Sequence, residues 1–95
     1  MPVRAFASVL ATVPGAVATA IAAQVVNWTF TAPNPDFWLI QQSQDGGVTW
    51  DFLDKVAGTL RTYSYSVTGA LARVVGIQTD GTIFCAASNA VTVLP

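Results

Sequence analysis

The chain has 95 residues, enough for one domain with a real core but too few for a barrel enzyme or a propeller. Hydrophobic residues make up 53% and charged ones 9%, against about 25% charged in an average soluble domain, so part of its surface is expected to be covered by other protein. Four basic and five acidic groups, with no glutamate and no histidine, give a formal charge of −1 and no electrostatic footprint for DNA or RNA.

Residues 2–13 alternate Val3, Ala5, Ala7, Val9, Ala11 and Val13 with Arg4, Phe6, Ser8, Leu10 and Thr12. That pattern fits a strand or an extended arm, with a helix as the competing reading because of the alanines. An arm could cross to a neighbouring subunit by strand addition, whereas a strand would pack on its own domain. Arg4, the Ala/Val run and the small residues at 20–23 imitate a secretory signal, but Pro14-Gly15 breaks the run and 16–23 serves better as a first strand. An uncleaved chain in the cytoplasm, or assembled there, is the expectation. The apolar run is interrupted too often for a membrane span of about 20 residues.

In residues 24–31, Val26, Trp28 and Phe30 share one face and Asn27, Thr29 and Thr31 the other, a half-buried antiparallel strand. The sequon Asn27-Trp28-Thr29 falls inside this strand and is read as chance. Pro33 and Pro35 then impose a loop. Residues 37–43 are apolar on both faces at their start, with Phe37 and Leu39 opposing Trp38 and Ile40, which predicts a central strand.

The hairpin Ser43, Gln44, Asp45, Gly46, Gly47, Val48, Thr49, Trp50 follows. Asp-Gly-Gly predicts a three-residue loop with a type I turn and positive φ at Gly47, and Asp45 accepting from N–H groups one or two residues on. The next strand, predicted over 48–55, alternates Val48, Trp50 and Phe52 with Thr49, Asp51 and Leu53. On an edge, exposed Trp50 and Phe52 read as a docking patch.

Further strands are predicted over 60–67, with Tyr63 and Tyr65 on one face, and over 70–78. Thr79-Asp80-Gly81 is a second hairpin turn. Residues 82–87 and 90–94 close the chain as one strand with a bulge near Ser88-Asn89. Seven short strands without a secure helix predict an all-β fold, a single seven-stranded antiparallel β-sandwich over 14–95, with 1–13 as an N-terminal arm or extra strand.

Catalytic chemistry has little to work with. Acid–base work would fall to Asp36, Asp45, Asp51, Asp54 and Asp80, and a serine or cysteine nucleophile has no imidazole partner. Cys85 stands alone, so it forms no disulfide within the chain and reads as a small buried hydrophobe in a strand. Asp45, Asp51 and Asp54 could gather on a Ca²⁺ ion, but solvated loop and edge carboxylates are the stronger reading. No glycine-rich loop leads from a strand into a helix. No enzyme, metal or cofactor is expected.

From Pro14 onward the chain resembles a fibronectin type III domain. Phe30-Thr31-Ala32-Pro33 is similar to the family's Trp-Thr-x-Pro, and Trp38-Leu39-Ile40 running into Ser43-Gln44-Asp45-Gly46-Gly47 is similar to its aromatic-x-aliphatic strand and Ser-x-Asp-Gly-Gly hairpin. Arg73-Val74-Val75-Gly76 with Asp80-Gly81 resembles the sixth strand and its turn, and 88–93 the last strand. Phe30 departs from the usual core tryptophan, with Trp28 the residue to compensate, and the tyrosine corner is missing, which leaves a more general immunoglobulin-like sandwich as the alternative. The resemblance implies fold more than role. The hairpin alone also resembles the Asp box repeated in sialidases, but one box with three scattered arginines lacks their catalytic apparatus.

Two functions are expected in order. The first is a non-enzymatic structural or assembly protein, most concretely a phage virion component (head decoration, cement or tail-associated) assembled in the host cytoplasm. It would bind copies of itself and a capsid or tail protein through Val3, Arg4, Phe6, Val9, Leu10, Trp50 and Phe52. The second is a carbohydrate- or surface-binding spacer module of a secreted bacterial protein, with Trp38, Trp50 or Tyr65 stacking on sugar rings and a mature N-terminus near Gln24.

Overall fold

The computed structural model describes residues 13–95, so Val3, Arg4, Phe6, Val9 and Leu10 lie outside the described residues. The strict alternation around Trp28 does what a period of two should. β1 (Val17–Ile21) and β2 (Val25–Thr29) pair antiparallel, with Ala18 opposite Trp28 and Ala20 opposite Val26. Small alanines across from large residues leave room on the buried face. β5 (Thr62–Ser64) lines the other side of β2 and completes a three-stranded sheet in the order β1-β2-β5.

The second sheet is built around β3 (Phe37–Ser43), central as its two-sided apolar pattern predicts. It lies between β4 (Asp51–Ala57) and β6 (Leu71–Ile77), with β7 (Val91–Thr92) beyond, in the order β4-β3-β6-β7. Every pairing in both sheets is antiparallel, and the described residues contain no helix. None of them therefore forms a helix long and apolar enough to cross a membrane.

The sheets share one core. Ala18, Val26 and Trp28 of the first face Trp38, Ile40, Ala72 and Val74 of the second, joined by Tyr65, Cys85 and Val93. Trp28 meets Trp38 edge-on across the sheets, with ring centroids 5.9 Å apart, a favourable quadrupole arrangement. Trp28 occupies the buried position and Phe30 the margin, its ring 5.1 Å from Trp38. The result is an all-β, β-sandwich-like fold.

Three expected strands differ from those observed. The strand predicted over 48–55 begins only at Asp51, because side-chain hydrogen bonds hold 43–49 in a closed loop and withdraw Val48 and Thr49 from pairing. The strand predicted over 60–67 shrinks to Thr62–Ser64: the Tyr65 N–H still donates in register to the Gln24 carbonyl at 2.8 Å, but Gln24 takes a positive φ of 66° at the turn before β2, and the ladder ends there. The closing strand is not one bulged strand. Phe84 and Ser88 N–H groups donate to Gly76 and Val74 of β6, while Ala86 N–H turns away to Val13. Just ahead of them Ile83 makes an isolated bridge to Ile77, and the Ser88 hydroxyl replaces a backbone acceptor for Val74 N–H at 3.0 Å. Cys85 is buried in this irregular segment rather than in a strand.

Two sheet edges carry side-chain closures. The Asn89 amide accepts from Ala18 N–H at 2.8 Å and donates to Ala18 C=O at 3.0 Å, standing in for a peptide against β1. On β4 the Asp54 carboxylate takes the Lys55 N–H at 2.8 Å, and a register shift opposite Ile40 and Gln41 bends the strand. Occupied edge donors, an edge lysine and a bulge all discourage pairing with another strand.

Candidate functional site

Ser43 ends β3 with its side chain buried, and from there its hydroxyl donates to Asp45 Oδ1 at 2.7 Å and accepts from Gly47 N–H at 2.9 Å. Asp45 in turn accepts from the Thr49 N–H at 3.0 Å and the Thr49 hydroxyl at 2.5 Å, four residues on rather than the one or two expected. Both Gly46 (φ 77) and Gly47 (φ 95) take positive φ, so the loop spends two glycines where one was expected. It spans 44–50, longer than a three-residue turn.

The hydrogen bonds from the Thr49 hydroxyl, the Thr49 N–H and the Ser43 hydroxyl hold the Asp45 carboxyl well below the usual carboxylate range. A carboxylate so stabilised and already donated to by its own loop is a structural anion, poorly suited to taking a proton from a substrate. The other perturbed groups point the same way. Burial raises the Tyr65 phenol, whose hydroxyl donates to the Gln41 and Arg73 carbonyls, and burial also raises the Cys85 thiol. The Tyr63 phenol is raised by desolvation and by Asp54, to which it donates at 3.3 Å. No three His, Cys, Asp or Glu side chains gather as a metal site among the described residues, so Asp45, Asp51 and Asp54 do not form the Ca²⁺ cluster considered for them.

Downstream of the loop, Trp50 is half-buried and the Arg73 guanidinium lies over its ring at 4.1 Å. Arg73 Nε donates to Gln41 Oε1 at 2.7 Å. Partial desolvation lowers the Arg73 pKa from its ordinary value, though an arginine stays charged at neutral pH. Beside this pair Phe52 is 63% exposed on the edge strand, and Val48 is 81% exposed in the loop. Gln41 pairs with Phe52 on one side and Arg73 on the other, which sets the three in one row on the outer face of the sheet.

The aromatic side chains invoked for sugar stacking are placed differently from that expectation. Trp38 is 0% and Tyr65 3% exposed, and one face of Trp50 is covered by Arg73. Gln24 lies between β1 and β2, so cleavage there would remove β1 from its sheet. A hollow of about 260 Å³ is lined by Gln44, Val67, Thr68, Gly69 and Ala70, with no aromatic or titratable side chain among them.

Sequence reasoning singles out Ser43, Asp45, Gly46, Gly47, Thr49, Trp50 and Phe52, and the structure places them all at the hairpin between β3 and β4. It missed Arg73 and Gln41 as members of the same surface. The available signal was a lone arginine inside an otherwise apolar strand, but only strand register reveals which aromatic residues stand beside it. No family model matches the chain, and no curated protein or solved structure matches it.

Proposed function

We propose that this protein is a non-enzymatic assembly subunit with a fibronectin type III-like sandwich, acting as a virion component such as a head decoration, cement or tail-associated protein. The three-plus-four division of its strands is that of a fibronectin type III-like sandwich, which supports the finer fold reading. The observation that carries the role is the outer face at the hairpin end of the second sheet, where exposed Phe52 adjoins Trp50 and Arg73. Tryptophan, phenylalanine and arginine are the residues that interface cores favour over the rest of a surface. The closed edges of β1 and β4 favour contact through side chains over strand addition at those two edges. The scarcity of charge makes buried apolar area the main source of binding energy.

The test is association itself. Sedimentation velocity over a wide concentration range, alone and with candidate capsid or tail shells, should show larger species or co-sedimentation. Phe52→Ser should weaken the co-sedimentation while leaving the free energy of unfolding within about 0.5 kcal/mol, since the side chain is largely exposed. A monodisperse monomer at every concentration, with no affinity for any such shell, would sink the assembly role.

A further inference from the structure

Arg61 and Arg73 are both arginines over aromatic rings, yet they are used differently. Arg61 lies over Trp38, and its terminal nitrogens donate to the Gly58 and Leu60 carbonyls and to the Asn34 side chain, which accounts for it as a structural cation. Arg73 donates only through Nε, to Gln41, and no described residue accepts from its two terminal nitrogens. Stacking on Trp50 and the bond to Gln41 fix the plane of the guanidinium, so its fork is held ready without the usual entropy of an arginine side chain.

The charges that the strands place around this fork are one-sided, and the Asp45 anion of the adjoining loop is taken up by the Ser43 hydroxyl and by the Thr49 hydroxyl and N–H. Lys55 stands opposite Leu39 on the same outer face and lies over the Phe37 ring at 4.6 Å. The neighbouring carboxylates are directed elsewhere. Asp54 stands opposite core-facing Ile40 and receives the Tyr63 hydroxyl from the other sheet, and Asp51 stands opposite Gln42, whose side is buried. A chain with a net charge of −1 thus presents an outer face with two cations, an exposed phenylalanine and no carboxylate from β3, β4 or β6.

We propose that the Phe52–Gln41–Arg73 row, with Trp50 beneath the guanidinium, is a docking site for a partner protein segment that carries a carboxylate beside an apolar side chain. The planar fork takes the carboxylate in two parallel hydrogen bonds, and Phe52 covers the apolar neighbour. Two copies joined symmetrically through this face would bring Arg73 against Arg73, which disfavours such a pair and assigns the carboxylate to a different protein. Sugar is disfavoured because Arg73 already covers a face of Trp50. This assignment rests on the assembly role proposed above and names the chemistry of its partner.

The probe is N-acetyl-aspartyl-leucinamide, titrated into isotopically labelled protein with the Arg73 Nε–H and Trp50 indole N–H resonances followed by NMR. Both resonances are expected to shift saturably. The neutral asparaginyl analogue should bind about tenfold to a hundredfold more weakly, the range for losing a charged hydrogen bond. Arg73→Met should abolish the shift at the Trp50 indole, Arg73→Lys should fail to restore it, and Phe52→Ser should weaken binding in a chain that keeps its full spectrum.

Equal binding of the two peptides, shifts centred away from Trp50 and Arg73, or inorganic phosphate competing as well as the peptide would each overturn the assignment. So would movement of these two resonances on simple dilution, which would show a second copy on the face. If the peptide fails while the protein still co-sediments with a shell, only this site is wrong. If the peptide binds but no association is ever seen, the assembly role fails and the carboxylate site stands.

Discussion

Asp45 is the residue whose chemistry was most open to a catalytic reading, and its environment fixes it as an anion. Its folded pKa lies below the value of about 3.9 for an unperturbed aspartate, so the native state binds fewer protons than the unfolded chain in the acid range. The stability this group contributes is therefore fully present above the unfolded pKa and is lost as pH falls through that value toward the folded one. Asp80, lowered by the Thr82 hydroxyl and N–H, adds a parallel contribution of the same sign. Asp45→Asn should lower the urea midpoint at neutral pH and make the acid limb of the midpoint–pH curve shallower, while Asp80 preserves part of that limb. An unchanged slope in the variant would mean that the Thr49 and Ser43 hydrogen bonds do not persist in solution. The Asp-Gly-Gly signal was legible in the sequence, but the reach of Asp45 to Thr49 was not, because it depends on where the chain returns after two positive-φ residues.

At the scale of elements, what was legible followed the strength of the periodic pattern. The alternation around Trp28 and the two-sided apolar run of 37–43 gave β2 and the central β3, since burial on one or both faces leaves a pattern that survives any context. The region 82–94 did not yield to the same logic. Its break at Ser88-Asn89 was visible, but both side chains there substitute for backbone partners, Ser88 toward Val74 and Asn89 toward Ala18. No local propensity encodes a hydrogen bond between residues 71 positions apart. Asn89→Ala removes both partners of the Ala18 peptide at a part-buried edge and should cost about 1–3 kcal/mol by urea unfolding. Hydrogen exchange supplies the local readout: Ala18 N–H should exchange much faster in Asn89→Ala, while amides in β3 change only as the global stability does. Uniform acceleration of both would show that Asn89 does not secure β1 in particular.

Over the whole molecule, the two sheets meet through Trp28 and Trp38, and here the sequence was ambiguous in an instructive way. Trp38 sits in a run apolar on both faces, so alternation alone left its side open and allowed it to be cast as a sugar-stacking residue. The second sheet settles the matter by turning Trp38 and Ile40 inward and leaving Phe37 and Leu39 outside, half-buried. The two indoles are not equivalent within that core. Trp38 Nε1 donates to the Gly58 carbonyl at 3.0 Å, and Arg61 lies over its ring. Trp28 Nε1 is buried with no acceptor among the described residues. Replacing either tryptophan by phenylalanine removes a similar apolar area, so the difference between the variants isolates the polar contribution. Trp38→Phe forfeits a hydrogen bond and a cation–π contact, whereas Trp28→Phe removes an unpaired donor. Urea unfolding should therefore place Trp38→Phe about 1–2 kcal/mol below Trp28→Phe. The reverse order would mean that the Trp28 indole finds a partner in solution and that the polar anchor of the sandwich lies on the three-stranded sheet instead of at Gly58.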